Sequence, residues 1–180
     1  ILLSVPGLEL LPSIRHFFLV LLDSIMPNGI TTIVWNDLGT LAALGVLAKA
    51  DSLLVTQVVD TDIFTSLAMV VSVNSPLTTG QTVLQLEVDE GEGELRQHHQ
   101  IYAAELRRIE VVPGQDVRVY LSPEESSDVG MGLRGLGGWV STPPSKLGII
   151  IDARGRPIRL PADARARREA QLDWLWELGA

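Results

Sequence analysis

A run of saturated apolar residues leading into a charged turn, Lys146–Arg159 (KLGIIIDARGRPIR), constrains this chain more than any other stretch. Leu147–Ile151 is a saturated apolar run and reads as a strand. Such a strand needs neighbours to complete a sheet. The short β-type runs upstream supply them, and the helix expected downstream supplies a cover.

Those upstream runs are Leu67–Val73, Thr82–Val88, His98–Ala104, Leu106–Val112, Val117–Leu121 and Trp139–Ser141, with Pro157–Leu160 following the apolar run. Pro76, Gly80, Gly91, Gly93, Pro113-Gly114 and Pro143-Pro144 punctuate them. Short strands at this spacing predict an antiparallel barrel or sandwich over residues 63–180, closed by a C-terminal helix. The acidic run Glu87, Asp89, Glu90, Glu92, Glu94 reads as a solvated hairpin tip. It lacks the spacing of an EF-hand loop.

Residues 1–62 read differently, as helix, strand, helix. Pro12 and Ser13 mark a helix start, and Ile14, Phe17, Phe18, Leu21, Leu22 and Ile25 recur on one helical face. Pro27-Asn28-Gly29 ends that helix. Ile30–Trp35 (ITTIVW) predicts a strand, and Asn36 or Asp37 caps a second helix running to about Ala50, rich in small residues. LLVTQVV after Ser52 fits a helix or a strand equally. Helix–strand–helix offers a single strand and cannot close a core by itself, so its sheet partners must come from elsewhere. The opening Ile1, within an apolar segment, reads as a boundary inside a longer protein.

The chain has 180 residues, 46% of them hydrophobic, and a net charge of −8. That balance argues against a nucleic-acid surface, because phosphate binding relies on Lys and Arg. With no cysteine, disulfides, thiolate metal sites and Cys nucleophiles are excluded. The apolar stretch from Ile14 to Met26 is broken by Arg15, His16 and Asp23 and is shorter than the ~20 residues a bilayer span needs. A cytoplasmic protein is the expectation, with neither membrane nor nucleic acid as partner.

No GxSxG, HExxH or P-loop sequence occurs, so no catalytic residue and no metal ligand is assigned. Gly130-Met131-Gly132-Leu133-Arg134-Gly135 spells GxGxxG. However, no strand runs into it, and Gly137-Gly138 stand where a helix should begin, so it reads as a tightly looping connection. Asp152-Ala153-Arg154-Gly155-Arg156-Pro157 reads as a hairpin between two β runs. Backbone amides around Gly132 and Gly135, with Arg134, Arg154 and Arg156, form the candidate anion-binding set. His98 and His99 are adjacent on a strand and point to opposite faces, so they cannot chelate together. In the last helix, Leu172, Leu175 and Trp176 share a face, with Trp174 and Leu178 to the side. Trp174, Trp176 and Leu178 are the candidate docking residues for a partner.

LLDSIMPNGITTIVWNDLGTLAALGVLAKA, PGQDVRVYL, DVGMGLRGLGG and above all LGIIIDARGRPIRLPAD resemble the C-terminal third of the glutamate mutase MutL family. That family is distinct from the mismatch-repair protein of the same name. The resemblance implies membership of the actin, Hsp70 and sugar-kinase ATPase superfamily. Residues 1–62 would then be its closing αβα segment, and the chain as a whole an α+β protein. It also implies an accessory, chaperone-type role beside adenosylcobalamin-dependent glutamate mutase, with the parent's upstream ATPase domain and the mutase as partners. ATP would belong to the full-length parent, and no cofactor to this region. The alternative is a small enzyme or phosphate-binding domain using the Arg-rich turn and the Gly-rich loop.

Overall fold

The computed structural model describes residues 1–3, 12–36, 39–61, 63–89, 96–112 and 114–179. Among these lie nine strands and four helices, arranged as two sheets and a helical layer. The expected helix cap Asp37 and the acidic tip at Glu90, Glu92 and Glu94 fall outside the described residues.

The first helix, α1 (Ile14–Ile25), starts where Ser13 accepts a hydrogen bond from the His16 amide. It ends as Met26 turns into the left-handed region ahead of Pro27. Phe17, Phe18, Leu21 and Leu22 of the expected stripe are buried. β2 (Ile30–Trp35) follows and lies parallel to the short β1 (Leu2–Leu3). Next come α2 (Thr40–Leu47) and α3 (Ser52–Val59), so the ambiguous LLVTQVV is helical. Asp51 caps α3 through the Leu54 amide, at 3.0 Å. Asn36 accepts from both Thr40 N and Thr40 Oγ1, at 3.0 and 2.8 Å, which fixes the approach to α2.

The remaining strands are β3 (Thr65–Ser72), β4 (Thr82–Asp89), β5 (Gln97–Tyr102), β6 (Leu106–Ile109), β7 (Val117–Pro123), β8 (Gly138–Thr142) and β9 (Ile149–Asp152). They do not close into a barrel among the described residues. One sheet has the order β1-β2-β3-β9-β6, and the other β5-β4-β7-β8. The second is wholly antiparallel, as expected. The first is mixed, because β3 runs parallel to β9, with Met69 opposite Ile149 and Ser72 opposite Asp152. β2 and β3, on either side of residue 62, pair antiparallel in this same sheet.

The five-stranded sheet is the middle of three layers. On one face Met69, Val71, Ile149 and Ile151 meet Leu84, Leu86, Val119 and Leu121 of the other sheet. On the opposite face Leu67, Val70 and Ile150 pack against Phe18 and Leu22 of α1. α4 (Ala164–Glu177) lies on this second side, with Trp174, Leu175 and Leu178 turned inward. Burial on both faces is the physical reason β9 has no polar alternation. Each large side chain fully buried in these cores contributes ~1.5–3 kcal/mol.

The segment after β9 and the face of α4 differ from expectation. Pro157–Leu160 is not a strand, so Asp152–Pro157 is not a hairpin. The chain leaves β9 through a turn with a cis Arg156-Pro157 bond and runs on to α4. The expected face of α4 is also displaced. Leu172 and Trp176 are exposed, while Leu178 is fully buried.

Candidate functional site

In open α/β sheets, ligands bind outside the carboxyl ends of the parallel strands. Here β3 and β9 end side by side at Ser72 and Asp152. Asp152 is fully buried, with its carboxylate held in a fork by Arg154. Nε donates to Oδ1 and Nη2 to Oδ2, both at 2.9 Å. The Arg154 amide also donates to Oδ1, at 3.2 Å, which is how the turn after β9 brings the side chain back over its own strand. The third guanidinium nitrogen, Nη1, reaches Asp23 of α1 at 2.8 Å. The guanidinium carbon lies 4.6 Å from the ring centre of Trp174, a cation–π contact with α4.

Arg156 completes the group. Its Nη2 donates to Asp152 Oδ2 at 3.1 Å and to Ser72 Oγ at 2.7 Å, and its Nε donates to the Pro27 carbonyl at 2.9 Å. Ser72 Oγ donates in turn to Pro27 O, at 2.6 Å. Two carboxylates and two guanidiniums therefore balance. Burial by itself would push the Asp152 carboxyl up, yet the hydrogen bonds and charge of Arg154, with Arg156, hold it below the usual carboxylate range. Burial likewise works to lower the Arg154 pKa, and Asp152 and Asp23 reverse that, so it is raised.

Chemically, this arrangement is a clamp. Ser72 Oγ is hydrogen-bonded to a carbonyl and a guanidinium, and among the described residues no base accepts its proton. The Asp152 oxygens receive four N–H groups and are spent on the chain's own arginines.

The other residues of the expected anion-binding set lie apart from this clamp. Arg134 donates to the Ser126 carbonyl within its own loop, at 3.4 Å, and is exposed. Gly132 and Gly135 both take positive φ in the connection between β7 and β8. The glycines of this connection answer to packing. A Cβ on Gly130 would stand 2.6 Å from Gly29 Cα, and one on Gly137 1.9 Å from the Leu121 carbonyl oxygen.

Of the three docking candidates, Leu178 is inside the helix-side core and Trp174 stacks on Arg154, whereas Trp176 is 76% exposed. His98 and His99 border a cleft of about 390 Å³ on the four-stranded sheet, with Glu87 and Tyr120. Burial, followed by the charges of Arg107 and His98, lowers the His99 pKa. Among the described residues no group of three or more His, Asp or Glu could hold a metal ion. No described helix is long and apolar enough to cross a membrane.

Sequence reasoning missed Asp23, which looked like an interruption of an apolar helix. It also missed the inward role of Arg154 and Arg156, which it grouped with Arg134 as an anion-binding set. Compared with protein-family models, with curated proteins and with solved structures, the chain matches none.

Proposed function

We propose that this chain is a non-catalytic docking module, and that its α2–α3 pair is the surface it presents to a partner domain. The observation that carries this reading is the poor burial of two apolar helices. α2 buries only Leu44, and no residue of α3 is fully buried. Val46 and Leu53 are 72% and 68% exposed, with Leu54 and Val59 beside them. Apolar side chains grouped in this way are the mark of an interaction surface. The clamp, by contrast, pairs no nucleophile with a base, which favours binding over catalysis.

The occupant we assign is the ATPase domain implied by the resemblance to the glutamate mutase MutL family. In this reading α1, β2 and α2 are the closing helix–strand–helix of an actin-like fold, and the role is accessory to a cobalamin-dependent mutase in the cytoplasm. The support is the order of elements in residues 1–62 and the apolar face that α2 and α3 leave uncovered.

The test is binding of the chain to the ATPase region of a MutL-family protein by interferometry. Wild-type chain binds, and the Val46→Glu/Leu53→Glu double variant does not, while its unfolding free energy in urea stays within about 0.5 kcal/mol of the parent's. Equal binding by the double variant removes the α2–α3 surface from the proposal. A thermal midpoint of the isolated chain that rises strongly with ATP removes the docking reading altogether.

A further inference from the structure

The inter-sheet core does not extend over the whole of the middle sheet. Ile30, Thr32 and Val34 share one face of β2 by alternation. Ile30 packs into the core with Met69 and Val71. Thr32 and Val34 instead floor an open cleft of about 650 Å³. Phe64 and Ser66 form one side, and the turn Pro143-Pro144-Ser145-Lys146 forms the other. The two sides are fastened together, since the Lys146 amide donates to the Ser66 carbonyl at 3.1 Å. This volume, an apolar lining and a few polar groups are the general features of a small-molecule site.

Among the described residues, two of those polar groups have no hydrogen bond or ion pair through their side chains. Lys146 is the only charged one of the described residues lining the cleft, and it is one of two lysines in an acidic chain. Its Nζ lies 5.3 Å from the ring centre of Trp35. Among the described residues no carboxylate comes within 4.0 Å of it. The Ser66 hydroxyl is buried without a hydrogen-bond partner. A turn about χ1 moves a serine hydroxyl between staggered positions, and here it breaks no internal bond.

We propose that this cleft binds a small monocarboxylate with an apolar body. The carboxylate pairs with Lys146 Nζ and accepts from Ser66 Oγ, while the apolar body lies on Val34, Phe64 and Pro143. A single ammonium suits one carboxylate. A phosphate is better matched by an arginine fork, and no arginine is among the described lining residues. The site is separate from the clamp and from the α2–α3 surface, so it stands or falls independently of the docking proposal.

The experiment is a ¹H–¹⁵N correlation titration of the full chain with 4-phenylbutyrate, and with its neutral counterpart 4-phenylbutan-1-ol. Saturable shifts are expected at Thr32, Val34, Ser66 and Lys146, with affinity for the alcohol lower by about tenfold. Lys146→Gln, at an exposed position, is expected to keep the unperturbed spectrum elsewhere and to weaken phenylbutyrate by a similar factor. Ser66→Ala weakens it less. Shifts confined to Val46, Leu53 and their neighbours overturn the proposal, as does equal affinity for the alcohol. It is also overturned by unchanged binding in Lys146→Gln, or by no saturation at the four named residues up to the solubility limit.

Discussion

Arg154 Nη1 and Asp23 Oδ1 stand 2.8 Å apart although 131 residues separate them in sequence. Through this contact the end of β9 grips α1, and through Trp174 the same guanidinium grips α4. One side chain thus ties the helical layer to the middle sheet.

Arg154→Met is therefore expected to cost about 3–5 kcal/mol, because it leaves the buried Asp152 carboxylate with only part of its compensation. Arg154→Lys recovers little of this, since an ammonium cannot reproduce the fork to both carboxylate oxygens. Urea unfolding measures both. A cost under about 1 kcal/mol for Arg154→Met would show that the clamp is not what holds α1 to the sheet.

The two tryptophans of the last helix should separate cleanly. Trp174→Ala loses the Arg154 stack and a place in the core, and on the order of 2 kcal/mol is expected. Trp176→Ala is expected to stay within about 0.5 kcal/mol of the parent. The thermal midpoints of the two variants check this.

Acid should weaken the fold in two stages. His99 has a depressed pKa in the folded chain, so its contribution is complete above the unfolded value of about 6.5 and declines as pH falls below it. Asp152 is depressed too. Its contribution is complete above the unfolded value of about 3.9 and is lost only as pH falls further, towards the folded pKa. Stability measured by urea from pH 8 to pH 3 shows both stages. His99→Gln removes the first and leaves the second.

Glycine substitutions distinguish packing from propensity. At Gly137 an added Cβ collides with the Leu121 carbonyl oxygen, and Gly137→Ala should cost about 2–3 kcal/mol. Gly45 lies within α2 with open space around it, and Gly45→Ala should gain about 0.5–1 kcal/mol. Denaturant midpoints of the two variants, opposite in sign, are the readout.

What the sequence discloses about this molecule is mostly local. α1 and β2 were legible because a cap, a six-residue apolar stripe and a Pro-Asn-Gly stop act over a few residues. The Leu147–Ile151 run was legible as a strand, whereas the cover on both its faces emerged only from the packing of the two sheets and α1. The parallel partnership of β3 and β9 was not legible, since it depends on chain closure over 80 residues between Met69 and Ile149. The clamp was hidden for a related reason. A charged turn gives no sign of whether its counter-ion is water or a carboxylate on a distant helix. The choice of Trp174 over Trp176 as the inward residue follows from where Arg154 ends up, and so it too depends on tertiary placement.

β6 has a consequence for how the chain comes apart. It sits in sequence between β5 and β7 of the four-stranded sheet, yet it pairs with β9 in the other sheet. Neither layer can be peeled away while the other keeps all its strands, because the thread that leaves one sheet is stitched to the edge of the next. Melting should accordingly follow a single sigmoid, with tryptophan fluorescence and far-ultraviolet dichroism falling together.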